Sequence, residues 1–258
     1  MRRFPSWWLV PSIALAACGG SDDRAADAPA ADSAAATAEQ PSGPQAIVAV
    51  LYQTPKDTAR FEKYYREKHL PLLNAGKEEI GFQQSELTRF VSTLDGKRPT
   101  LYRQAELYFS SLDDAQKGMA TAAFKRVGDD FKNFDTRGLI GMLALETGDA
   151  GTVPCPALVT VIYNTPKDTA AFERHYNATH LPLVTEGQQE IGFRRADFTR
   201  FESNLDGSPP ARHRQAELCF SSMDALKKGT ATAAFKKVGD DLPKFATGGL
   251  TALIGEQQ

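Results

Sequence analysis

The chain is poor in the residues that build metal centres and redox clusters. Its 258 residues include only 4 His and 3 Cys. Cys18, Cys155 and Cys219 stand far apart, and no Cys/His spacing matches a zinc site. Charge of one sign is lacking too. With 30 Lys+Arg against 32 Asp+Glu the net charge is −2, and no basic block occurs, so nothing favours a nucleic-acid partner. Phosphate loops, dinucleotide fingerprints, Gly-x-Ser-x-Gly elbows and haem-attachment motifs are all missing, so no cofactor is expected. The one apolar run, at the N-terminus, is shorter than the roughly 20 residues a spanning helix needs.

That run has another meaning. Met1-Arg2-Arg3 is followed by FPSWWLVPSIALAACGG, the pattern of a secretory signal over residues 1–17. Leu15-Ala16-Ala17-Cys18 resembles the lipobox of bacterial lipoproteins. The resemblance implies that Cys18 is lipidated and becomes the mature N-terminus. Gly19 in place of Asp implies sorting to the outer membrane, on its periplasmic side. The alternative is an ordinary signal peptide with a chance cysteine. Residues 18–45 are rich in Ala, Asp, Ser and Pro, too apolar-poor to offset ordering entropy, and read as a flexible tether. An exported compartment permits a disulfide between Cys155 and Cys219. The sequence leaves open whether they meet or stay free thiols.

The rest of the chain is written twice. Position n matches n+111 without a gap from about Val48 to Gly249, and roughly half the aligned residues are identical. The phrase TPKDTARFEKYYREKHLPL recurs as TPKDTAAFERHYNATHLPL. Solenoid repeats are about 20–50 residues long, so this unit is a domain-sized module. The modules span 46–147 and 158–258, joined by a connector over 148–157.

Each module reads βαββαβ. IVAVLY predicts a strand, and Asp57 or Thr58 caps a helix on which Phe61, Tyr65 and His69 share one face. GFQQSELTRFV and LYRQAELYF predict strands either side of a turn. LDDAQKGMATAAFKRVGDDF predicts one Ala-rich helical stretch, and LIGMLAL a last strand. This is the ferredoxin-like α+β plan, an antiparallel sheet with both helices on one face. The bare sheet face needs a partner, and the second copy supplies it at high effective concentration. The expected architecture is two such repeats packed sheet-to-sheet as an intramolecular dimeric α/β barrel, an internal pseudo-dimer.

The first module carries Tyr52, Pro55, Asp57, Phe61, Tyr65, His69, Pro71, Asp130 and Phe134. The second carries Tyr163, Pro166, Asp168, Phe172, Tyr176, His180, Pro182, Asp241 and Phe245. In this order and spacing they resemble the EthD family of the dimeric α/β-barrel superfamily. Members are usually cytosolic single units that dimerise, whereas this chain reads as exported and already doubled.

His69 and His180 lead the candidate chemistry. Each precedes Leu-Pro, which predicts a helix end, where the macrodipole favours imidazolium. They read as acid/base groups near neutral pH, or as structural residues bonding the last helix carbonyls. Strand alternation sends Glu106 and Glu217 into the barrel. There each pairs with a cation, for which Arg89, Arg103, Arg200 and Arg214 are available, or titrates high as a proton shuttle or ligand anchor. Tyr52 and Tyr163 read as donors to an oxyanion or as packing residues. Asp57 and Asp168 read as caps, and Asp130 and Asp241 as helix-end hydrogen-bonding groups without a catalytic part. His175 and His180, five apart, are not stacked on one helical face.

The EthD resemblance implies binding of a small, partly aromatic molecule between each sheet and its first helix. It also implies isomerase-, cyclase- or dehydratase-like proton transfer, and an oxidoreductase label that family members often carry. The contrasting expectation is a non-catalytic binding or structural envelope lipoprotein, attached to the membrane only by its lipid anchor. A closed pocket lined by His69 and Tyr52, or by His180 and Tyr163, separates the two.

Overall fold

The computed structural model describes residues 45–134, 137–148 and 153–258. The signal, Cys18 and nearly all of the tether lie outside the described residues. Among the described residues no helix is long and apolar enough to cross a membrane.

Each repeat has four strands. In the first they are β1 (Gln45–Gln53), β2 (Gln84–Thr93), β3 (Leu101–Phe109) and β4 (Leu139–Thr147). In the second they are β5 (Ala157–Tyr163), β6 (Arg195–Asn204), β7 (Arg214–Phe220) and β8 (Leu250–Gln257). All ladders are antiparallel, and the strands close into one barrel in the order β1-β3-β2-β8-β5-β7-β6-β4. The two ferredoxin-like sheets are thus joined at both edges by backbone hydrogen bonds, through β2–β8 and β4–β6. Closure removes every exposed strand edge and hides the face that either repeat alone would leave wet.

The helices lie outside the barrel. The first repeat has α1 (Thr58–Tyr64), a π turn (Tyr65–His69), α2 (Leu70–Ala75), α3 (Lys77–Ile80), α4 (Leu112–Met119) and α5 (Ala122–Asp130). The second has α6 (Thr169–His175), a π turn (Tyr176–His180), α7 (Leu181–Ile191), α8 (Met223–Thr230) and α9 (Ala233–Asp241). Asp57 and Asp168 cap α1 and α6 as expected, accepting from Arg60 N and Ala171 N at 2.9 Å.

Two expectations about helices are corrected. The Ala-rich stretch is two helices, because Thr121 and Thr232 turn the chain and cap α5 and α9 from their own side chains. The helix also does not end at His69 or His180. It widens to i→i+5 bonding, with Leu70 N–H on Tyr65 O and Leu181 N–H on Tyr176 O. The wide turn accommodates the following Pro, which lacks an N–H and would crowd the carbonyl four residues back in an unbroken α-helix.

Strand alternation divides the interior. Val48, Leu107 and Phe109 face the helices, as do Val159, Leu218 and Phe220 in the second repeat. Facing inward, Phe90, Leu101, Ile162 and Phe201 fill one end of the barrel. Toward the end where β1 and β5 begin, the interior holds buried Glu86, Glu106, Glu146, Asp197 and Glu217. Their cation is Arg195, which donates to Glu86 at 2.8 and 3.0 Å, to Asp197 at 2.7 Å and to the connector carbonyl of Val153 at 3.3 Å. The four arginines expected there point elsewhere. Arg103 and Arg214 clamp Glu62 and Glu173 on the helix side, while Arg89 and Arg200 pair with Glu256 and Glu202. Residues 153–157 of the connector lie at this end, where Cys155 and Cys219 form a disulfide.

Candidate functional site

The π turns place the chemistry. They present Phe61, Tyr65 and His69, and their counterparts Phe172, Tyr176 and His180, toward the outer face of the sheet, where all six are buried. Phe61 stacks on Tyr65 at 5.7 Å, and Phe172 on Tyr176 at 5.5 Å. Arg103 and Arg214 cover the two tyrosines at 4.6 and 4.8 Å, a cation–π contact that fixes their rings.

In both repeats the histidine stands between a carboxylate and a phenol. His69 Nδ1 lies 2.9 Å from Asp130 Oδ2, and its Nε2 lies 3.4 Å from Tyr52 Oη. His180 Nδ1 lies 3.1 Å from Asp241 Oδ2, and its Nε2 lies 3.4 Å from Tyr163 Oη. An ionised carboxylate only accepts, so Nδ1 carries the ring proton and Nε2 offers its lone pair.

The electrostatics agree with that assignment. Burial pulls both histidines below the ordinary imidazole range, with the neighbouring Asp only partly offsetting it. Burial alone would raise Asp241. Hydrogen bonds from His175, His180 and Lys244 outweigh it and hold the carboxyl below the usual range. In the first repeat Asn133, His69 and Tyr64 do the same for Asp130. Burial, joined by Tyr176 and Asp241, pushes the Tyr163 phenol well up, so it stays a donor. The site therefore holds a neutral imidazole, an anionic carboxylate and a protonated phenol. This corrects the expectation of an imidazolium favoured by a helix end: the helix does not end there, and burial decides.

Asp130 and Asp241 are the residues sequence reasoning set aside. They end α5 and α9, where helix-end bonding looked sufficient, yet each carboxylate is aimed at the histidine. His175 was likewise misjudged. Its Nε2 meets Asp241 Oδ1 at 3.0 Å, because the π turn brings residues five apart onto one carboxylate. Tyr64 takes that place in the first repeat, donating to Asp130 Oδ1 at 2.8 Å. The paired change of Tyr64 to His175 beside an unchanged Asp was the available signal. Among the described residues no group of three or more His, Cys, Asp or Glu could hold a metal ion.

Glu106 and Glu217 do not join this site. They project from the opposite face of the sheet into the barrel, where Gln215 donates to Glu106 and Thr160 to Glu217, at 3.0 and 2.9 Å. Burial and the neighbouring carboxylates raise both, Glu217 to about 8, so Glu217 keeps its proton in the folded barrel at neutral pH.

A largely enclosed apolar cavity of about 70 Å³ lies between the outer sheet face and the helices of the second repeat. Tyr163, Tyr176 and His180 line it together with Val184, Leu218 and Leu242. Phe235, Val238 and Gly239 of α9 wall it as Tyr176, His180 and Val184 do from the first helix, which the sequence did not indicate.

The profile of the EthD domain matches residues 53–137 and 164–249. An uncharacterized 11.0 kDa protein of the thcB–thcC intergenic region of Rhodococcus erythropolis is 36% identical over 100 residues, which is 39% of this chain and 93% of that protein. A crystal structure of an EthD family protein from Bacillus halodurans is 27% identical, covers 38% of this chain and 95% of its own, and has a TM-score of 0.35. The crystal structure of an anthrone oxidase-like protein is 16% identical with a TM-score of 0.58, covering 83% of this chain and 91% of its own, a likeness of fold. Two matched segments, each carrying the same His and Asp, place the chain in the EthD family, with two EthD domains in tandem.

Proposed function

We infer that this protein binds a small, mostly apolar molecule in the cavity of its second repeat and moves a proton on it without a cofactor. The observation that carries the reading is the cavity bounded by His180 and Tyr163. His180 Nε2 takes a proton from the bound molecule as general base. Asp241 holds the ring in the required tautomer and stabilises the imidazolium as it forms, without itself accepting the proton. Tyr163 donates to the oxygen on which negative charge develops, in surroundings where water does not compete. Return of the proton to a different atom is an isomerisation. Its delivery to a leaving hydroxyl is a dehydration. The oxidoreductase label of the family finds no support in the residues around this histidine.

Deuterium exchange into the α-positions of acetone, followed by NMR in D₂O, tests the chemistry. Wild type should exchange above buffer, and His180→Gln should lose roughly 10²-fold or more of that rate. Equal exchange by the two proteins would sink the assignment and leave a binding protein.

The protein is further proposed to be an envelope lipoprotein held on the periplasmic side of the outer membrane through Cys18. The support is Leu15-Ala16-Ala17-Cys18 behind an Arg-led apolar run. Metabolic labelling with a fatty-acid analogue should mark the wild type and spare Cys18→Ala; label on both would contradict the anchor.

A further inference from the structure

We propose that the two EthD sites are unequal: the second repeat keeps a ligand pocket, and Phe131 plugs the first. The histidine, aspartate and tyrosine are duplicated almost atom for atom, so the difference lies in the walls. Phe131 stands where the second repeat has Leu242. Leu242 lines the cavity. The Phe131 ring instead closes on the catalytic-type residues, with its centroid 5.0 Å from His69 and 5.9 Å from Tyr52. Leu73 stands for Val184 and takes up a further methylene of the same space.

Two wall positions change in the opposite sense. Leu87 stands for Phe198, and Gly141 for Ala252. At Gly141 the room is already used. A Cβ there would come within 2.5 Å of Leu205 Cδ1, so Leu205 has settled onto the glycine. Its counterpart Leu94 borders the open cavity across Ala252. The first site is thus filled from both ends, by Phe131 beside the histidine and by Leu205 at the far wall.

The cavity also limits its occupant. Its volume is about 70 Å³, roughly half that of an apolar cavity of about 150 Å³ that takes benzene or xenon. Apolar side chains make up most of the lining, and Tyr163, Tyr176 and His180 are its polar-bearing residues. The Lys244 ammonium is spent on Asp241, at 3.2 Å. The occupant is therefore compact, uncharged and mostly hydrocarbon, with one hydrogen-bonding oxygen, and one is held per chain. The asymmetry stands on the cavity together with the Phe131 and Leu205 contacts; that the occupant is the molecule acted on rests on the proton-transfer reading above.

Xenon is the probe, applied under pressure to the full-length chain with ¹³C-labelled methyl groups. In wild type, saturable shifts should appear at Val184, Leu218 and Val238, and not at Leu73, Leu107 and Val127. Phe131→Leu should add a second set of shifts in the first repeat, and Leu242→Phe should abolish the set in the second. Shifts in both repeats of wild type, or in neither, overturn the proposal, whether or not either variant folds. A folded Phe131→Leu without the second set overturns the assignment of the plug. Xenon confined to the second repeat without acetone exchange leaves the asymmetry and removes the chemistry. Exchange with xenon in both repeats does the reverse.

Discussion

At the scale of the residue, identity was legible and direction was not. His69, His180, Tyr52 and Tyr163 stood out because each phrase repeats around them, and the structure brings each His to its Tyr. Asp130 and Asp241 were visible as repeated residues, but only folding shows that the ends of α5 and α9 reach the first helix. The interior carboxylates were half legible. Alternation predicted that Glu106 and Glu217 face inward, and they do. Their expected arginines failed because alternation also sends Arg103 and Arg214 outward, to Glu62 and Glu173. The protonated state of Glu217 has a measurable consequence. Its folded value of about 8 lies above that of an ordinary glutamate. From about pH 4.5 to about 8 the unfolded chain has lost that proton and the folded barrel has kept it, so stability falls as pH rises across the window. Glu217→Gln should flatten that decline in urea midpoints. A decline of unchanged steepness in the variant would show that this carboxyl is not its source.

At the scale of the element, periodicity found every strand and both helical stretches of each repeat, but it ended the first stretch at His69 or His180, short of α2, α3 and α7, and missed how the second is broken. Propensity cannot distinguish a widened turn from a terminated helix when Leu-Pro follows, since both relieve the same clash. Nor does an Ala-rich run announce that Thr121 and Thr232 split it. The break lets α8 lie close against the end of α7. At Gly229 an added Cβ would sit 2.1 Å from Ile191 O and 2.7 Å from Phe220 Cε1. Backbone cannot yield as a flexible side chain can, so Gly229→Ala should cost about 1–3 kcal/mol. Chemical denaturation measures this, and a loss within about 0.5 kcal/mol would refute the close packing. Gly192 ends α7 at φ +80°, a conformation that glycine adopts without penalty.

At the scale of the whole molecule, the gapless offset of 111 residues was the strongest signal in the sequence. It predicted a fused pseudo-dimer, and the barrel closes through one ladder at each junction between the repeats. Fusion also frees the repeats to diverge. Tyr64 becomes His175, Phe131 becomes Leu242, and Tyr108 becomes Cys219, which ties down the connector by its bond to Cys155. The sequence could not show that pairing, because a connector residue meets an inward strand position only once the barrel is closed. What the fold accomplishes is to bury a neutral imidazole between a carboxylate and a phenol, beside an apolar cavity. ¹⁵N NMR of the full-length chain, with imidazole labelling and a pH titration of His180, tests this most directly. The account predicts a neutral ring protonated on Nδ1 at pH 7, gaining its second proton only below the usual imidazole range near 6.5. An imidazolium at pH 7, or a ring protonated on Nε2, would contradict it.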